Sequence, residues 1–183
     1  MVDATKTRMT AKEFMELPES NLPIELIDGE LIVSPAPKDP HQAALGQIYG
    51  YLVRVNVGGQ LRLAPLDVHF DDENVTQPDL FWVSGTESLC KLGDDGYWYG
   101  APDLVIEVLS PGTQGKDRGK KFNLYERYGV REYWLVDVVA KFIEVHRLEN
   151  QKFIRVGVFE LKEKFISAVL NNLEIDVEAL LNS

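Results

Sequence analysis

A carboxylate stands in the middle of an apolar run that has to be buried. The segment Leu104-Val105-Ile106-Glu107-Val108-Leu109 has the length and β-branched content of a core strand. An ionised glutamate is costly in such a place unless it is paired or holds a metal. Glu107 therefore demands charged company from elsewhere in the 183-residue chain. A second apolar segment, Val75 to Val83, carries Pro78-Asp79, and neighbouring strands lie about 5 Å apart, so the two acids can converge. Lys121 lies on the segment that follows Glu107 and is the candidate cation.

Around this strand the pattern predicts an α/β fold. Thr10-Ala11-Lys12-Glu13 has capping-box spacing and opens a short peripheral helix that ends near Pro18. Ile24 to Val33 reads as an N-terminal hairpin turned at Asp28-Gly29. Pro40 opens a helix that runs to about Val57, with Leu45, Ile48, Tyr49 and Leu52 as its apolar positions. Strands are predicted at about 60–70 and 75–83, joined by Asp71-Asp72-Glu73, followed by an irregular excursion over 84–101. The buried strand over 103–109, a helix over 116–128 stopped by Gly129 and a strand over 131–137 complete the order helix, three strands, helix, strand. A C-terminal β-hairpin turned at 149–151 and a short helix capped by Asp176 extend it. The length fits one domain over residues 1–183, with its core at about 39–138.

Composition narrows the functional classes. No stretch approaches the roughly 18 apolar residues of a membrane helix, and residues 1–10 lack the apolar centre of a signal peptide. With Cys90 the sole cysteine, a reducing, cytoplasmic setting is expected. A net charge of −10 excludes a protein that coats nucleic acid by phosphate neutralisation. Residues 116–131 depart locally: Lys116, Arg118, Lys120, Lys121, Arg127 and Arg131 outnumber Asp117, Glu126 and Glu132 by three. A solvated helix face explains that excess as readily as a binding surface does.

Strand alternation puts Asp103, Val105, Glu107 and Leu109 on one face, and i, i+4 spacing aligns Asp117, Lys121 and Tyr125, which favours Lys121 over Lys120. Two carboxylates about 4 Å apart repel by about 4 kcal/mol even at an effective dielectric near 20, so such a pair takes up a proton or recruits a cation. Oxygen ligands favour Mg²⁺ or Mn²⁺ over zinc. Such a metal beside a lysine suits phosphodiester hydrolysis. The structural alternative makes Asp79 a turn cap and Glu107 half of a core ion pair. Asp67 and His69 lie on one strand face, where contact with the site and a polar edge strand are equal readings, and His146 in the C-terminal hairpin reads as structural. Core packing likewise accounts for Trp82, Tyr97, Trp98 and Tyr99.

The stretches IELIDGELIVSPAP, QPDLFWV, APDLVIEVLSPGT and DRGKKFNLYERYGVREYWLVD resemble the Uma-two family of restriction-type endonucleases, within the restriction-endonuclease-like PD-(D/E)XK superfamily. The resemblance spans about residues 22–180 and implies a restriction-endonuclease-like core. It implies metal ligation by Asp79, Glu107 and the Val108 carbonyl, with Lys121 as the positive charge. Leu109 stands where the superfamily motif has its lysine, and a lysine on the next helix is the family's implied substitute. The superfamily's glutamate on the first core helix is missing here, and Glu25 on the hairpin is the substitute candidate. His41, at the start of that helix, is a candidate donor to phosphate or water. The expected function is a Mg²⁺- or Mn²⁺-dependent endonuclease acting on nucleic acid, DNA above all, with a homodimer as the plausible assembly. An inactive nuclease-fold binding module and a hydrolase of smaller phosphoesters are the alternatives.

Overall fold

The computed structural model describes residues 8–18, 20–85, 87–112 and 114–182. Helix α1 (Ala11–Met15) carries the capping box in full: Thr10 accepts from the Glu13 amide, and the Glu13 side chain accepts from the Thr10 amide. Strands β1 (Ile24–Ile27) and β2 (Glu30–Val33) form the hairpin, with Asp28 and Gly29 both at positive φ. Helix α2 (Asp39–Arg54) follows, with Pro40 in its first turn. Its buried Ala44, Leu45, Ile48, Tyr51 and Leu52 recur at helical spacing and form one packed stripe.

The next two predicted strands are each split between two sheets. Strand β3 (Gln60–Leu63) pairs with β6 (Leu80–Val83), whereas β4 (Val68–Asp71) pairs with β5 (Asn74–Thr76). Proline stands at both crossings, Pro65 on the way out and Pro78 on the way back. Lacking an N–H, proline cannot continue a ladder, so the strand ends there and the chain is free to change sheets. Strands β7 (Lys91–Leu92) and β8 (Trp98–Tyr99) give the excursion over 84–101 a small antiparallel pair.

Then come β9 (Leu104–Val108), helix α3 (Gln114–Lys116), a π-helical segment (Asp117–Lys121), helix α4 (Phe122–Tyr128) and β10 (Glu132–Asp137). The predicted helix over 116–128 is therefore not a single α-helix. Gly129 closes it in the left-handed conformation. Strands β11 (Phe142–Glu149) and β12 (Lys152–Glu160) form the long hairpin. A further hairpin, β13 (Lys164–Ser167) with β14 (Leu173–Asp176), precedes α5 (Val177–Leu181), whose Ala179 amide donates to Asp176 at 2.9 Å.

One six-stranded sheet runs β12-β11-β10-β9-β6-β3, and a second runs β2-β1-β5-β4-β8-β7. Strand β9 lies inside the first, parallel to β10 and antiparallel to β6. Its Leu104, Ile106 and Val108 join a core with α2, α5 and the β13–β14 hairpin, while Val105 and Leu109 join a second core with α4 and the other sheet. Glu107 belongs by alternation to that second face, where Phe81 and Val83 of β6 also point.

Gly100 sits where the excursion closes onto β4, donating its amide to the His69 carbonyl at 2.8 Å. Its φ is +91°, and a Cβ there would lie 2.2 Å from the Leu89 carbonyl oxygen. Backbone meets backbone, so neither side can yield cheaply. Gly100→Ala is expected to cost about 2 kcal/mol or more. A denaturant melt with an unchanged midpoint would refute this.

Candidate active site

The site lies where Pro78 returns the chain to the larger sheet. Asp79 precedes β6, and its Oδ2 accepts from the Val108 amide at 2.8 Å and meets His41 Nε2 at 3.0 Å. The Asp79 amide faces Glu107 Oε2 at 3.4 Å. Helix α2 brings His41 in from its first turn, and His41 Nδ1 has no hydrogen-bond partner among the described residues.

Glu107 Oε1 accepts from Lys121 Nζ at 2.7 Å and from the Tyr125 hydroxyl at 2.9 Å. Lys121 Nζ also lies 2.9 Å from Glu25 Oε1. The other oxygen of Glu25 accepts from Lys116 Nζ at 2.5 Å, and Lys116 in turn donates to Ser34 Oγ at 2.9 Å. The Gln77 amide, 2.9 Å from Glu25 Oε1, completes the surroundings of that carboxylate. Asp79, Glu107, Lys121, Glu25, His41 and the Val108 backbone are thus brought into one network. Lys120 turns away to Glu30.

Burial and charge set the protonation states. Burial pushes the Glu107 carboxyl up, Lys121 pulls it down, and Asp79, Asp117 and Glu25 push it up again, leaving it at about 8. Burial alone would lower Lys121, but Glu107 and Glu25 hold its ammonium well above the ordinary range. For Glu25 burial acts upward, and the two lysines outweigh it and hold the carboxyl below its usual value. Burial likewise lowers His41, and Asp79 more than compensates, raising it. Tyr125 is raised well beyond 10 by burial and by Glu107, so it remains a donor. Glu25, Glu107 and Lys121 are each 2% exposed, whereas the Asp79 and His41 side chains keep 19% and 12%. The open side is the Asp79–His41 side.

A family profile described as "Uma2: Putative restriction endonuclease" matches residues 11–178. The chain belongs to the Uma2 family. A solved structure, a putative nuclease belonging to DUF820 from Anabaena variabilis ATCC 29413, superposes with a TM-score of 0.73 over 94% of this chain and 97% of that one. At 24% identity, that likeness establishes a shared fold. No curated protein matches the sequence.

In this Uma2 chain no group of three or more His, Cys, Asp or Glu side chains forms a metal cage among the described residues. Mg²⁺ does not require one, because it commonly keeps several waters and takes only one or two carboxylates. Asp79 on the open side and the buried Glu107 meet that description, and a divalent cation would offset the upward push that burial first, and then Asp79, Asp117 and Glu25, exert on the Glu107 carboxyl. The donor set fits the metal.

Three side chains of the network had no role expected from the sequence. Tyr125 was foreseen on the helix face of Lys121 but without a role. Lys116 and Ser34 carry no signal, because residues 116 and 121 are five apart and no α-helical spacing aligns them. The basic stretch over 116–131 offers no bare cationic face: Lys116 meets Glu25, Arg118 meets Glu144, Lys120 meets Glu30, Lys121 meets Glu107, Arg127 meets Asp28 and Arg131 meets Asp103. Asp67 accepts from Gln77 Nε2, His69 stacks on Tyr99, and His146 pairs with Glu144. No helix of the described residues is long and apolar enough to cross a membrane.

Proposed function

We propose that this Uma2-family protein is a metal-dependent endonuclease that hydrolyses phosphodiester bonds in DNA, with Mg²⁺ or Mn²⁺ held by Asp79 and Glu107. The observation that carries the reading is the meeting of Asp79 and Glu107 from adjacent strands, with buried Lys121 on Glu107 and one side open. The sequence of α2, β3, β6, β9, α4 and β10 around the larger sheet supports a restriction-endonuclease-like core within a single domain. The family description and the nuclease-described structural relative support the reaction class.

When bound, the metal polarises a phosphoryl oxygen and lowers the pKa of a coordinated water. The chain's own residues prepare for it. The Val108 amide fixes the Asp79 carboxylate, and Lys121 and Tyr125 hold one oxygen of Glu107 and leave Oε2 turned to Asp79. The Val108 carbonyl is the third donor of the proposed set. Lys121 supplies positive charge behind the carboxylates, and His41 at the opening can donate to a phosphate oxygen or a water. Because the helix cations are already paired and the net charge is −10, substrate binding should be weak and steeply salt-sensitive. Cutting both strands calls for two sites, which a two-fold dimer supplies.

The test is nicking of supercoiled plasmid at low salt with Mg²⁺ or Mn²⁺. Wild type is expected to cut, and Asp79→Ala and Glu107→Ala to lose at least about 100-fold in rate while remaining folded. Equal behaviour of all three proteins would sink the reading for duplex DNA. Metal binding without cutting would then point to an inactive binding module, and turnover of small phosphoesters to the other alternative.

A further inference from the structure

The π-helical segment between β9 and α4 does something a regular helix could not. In an α-helix, residues five apart lie about 140° around the axis from each other. A π-turn takes up more residues per turn, so positions five apart lie closer together around the axis. Lys116 precedes the segment and Lys121 ends it, and their two ammonium groups meet opposite oxygens of Glu25, at 2.5 and 2.9 Å. The Asp117 carbonyl accepts from the fully buried Tyr133 hydroxyl of β10 at 3.1 Å, so the sheet itself pins the turn.

Glu25 stands at the far side of this arrangement from the opening. Both its oxygens are engaged, Oε1 by Lys121 and the Gln77 amide and Oε2 by Lys116. It is 2% exposed, with a lysine on either side of it. A carboxylate enclosed in this way is poorly placed to coordinate a metal. It is well placed to hold a lysine.

We propose that Glu25, gripped by Lys116 and Lys121 across the π-turn, is a positioning residue that seats Lys121 on Glu107 and is not a metal ligand. The inference rests on the endonuclease reading and assigns parts within that site. Lys116 and Tyr133 thereby gain a role, the first holding Glu25 in place and the second holding the turn.

The experiment combines kinetics with a metal titration that needs no turnover. Glu25→Gln, Lys116→Met and Tyr133→Phe are compared with wild type for kcat and KM on plasmid and for Mn²⁺ affinity by calorimetry. Glu25→Gln is chosen over alanine because it keeps the shape and an acceptor for Lys121. Expected is a fall in kcat of about tenfold or more in Glu25→Gln and severalfold in the other two, with KM and Mn²⁺ affinity within about threefold of wild type. Glu107→Gln, in contrast, should lose Mn²⁺ binding. A tenfold loss of Mn²⁺ affinity in Glu25→Gln would make Glu25 a ligand and overturn the proposal, and so would an unchanged kcat. If wild type leaves the plasmid intact, the endonuclease reading alone falls. The crystal structure of Glu25→Gln then decides: Lys121 displaced from Glu107 upholds the positioning role, and Lys121 unmoved ends it.

Discussion

Lys121→Met is expected to cost about 3–5 kcal/mol of stability, the usual consequence of removing one partner from a buried ion pair. In a chain of this size that is a fall in Tm of roughly 10 °C. The methionine keeps most of the volume, so the loss is electrostatic. Glu107 and Glu25 would face each other within the same buried pocket, each having lost the ammonium at 2.7 and 2.9 Å, with Asp79 and Asp117 adding to the repulsion. Cleavage should vanish with it. Adding Glu107→Gln to the same protein should restore part of the stability, because an amide beside Glu25 has neither a proton to lose nor a charge to repel it, and should restore none of the activity. Thermal melts of the single and double variants measure this coupling. A Lys121→Met protein melting within about 2 °C of wild type would show that the pair carries little of the fold.

The fold was legible wherever one periodicity governs one element. Thr10 and Glu13 cap α1, Asp28-Gly29 turns the first hairpin, Pro40 opens α2, and the stripe of Leu45, Ile48 and Leu52 faces a core. The stretches over 60–70 and 75–83 read as continuous strands because apolar residues recur along the whole of each. Alternation cannot tell which sheet a residue joins, and the chain changes sheets in both. Pro65 and Pro78 mark the crossings, and a proline inside a strand pattern is the signal that should have weighed more. The β13–β14 hairpin was missed for a related reason. Its strands are short, and its turn rests on Asn171 and Asn172, both at φ of 58°, a backbone that asparagine tolerates without the usual glycine.

At the site, two simple rules carried most of the placement. The close spacing of neighbouring strands brings Asp79 to Glu107, and i, i+4 spacing sets Lys121 beside Tyr125. What those rules could not reach is the second lysine. Lys116 meets Glu25 beside a π-turn, and nothing in Asp117-Arg118-Gly119-Lys120-Lys121 announces one. The partners of the basic stretch were equally out of reach. Each cation lies near its carboxylate in space and far from it in sequence, so counting charges along the chain left a surplus of three that the fold cancels.

Glu107→Gln should abolish cleavage and, in the absence of divalent cations, raise the melting temperature at neutral pH. In the folded protein the Glu107 carboxyl titrates at about 8, against 4.5 in a free chain. Below pH 4.5 both states hold the proton and the residue contributes no pH dependence. Between 4.5 and 8 the folded state holds a proton that the unfolded state has lost, so stability falls as pH rises through that window. Glutamine has nothing to lose there. It keeps an oxygen for Lys121 and Tyr125, and Lys121 keeps Glu25, so the exchange leaves no cation stranded. The variant and wild type should therefore melt together near pH 4, and the variant should lie roughly 10 °C higher by pH 8. Millimolar Mg²⁺ should narrow that gap by stabilising wild type alone, since a ligand that binds only the folded protein shifts its melting upward. If the gap is absent at pH 8, the acid cluster is balanced without a metal, and the electrostatic case for one at Asp79 and Glu107 is lost.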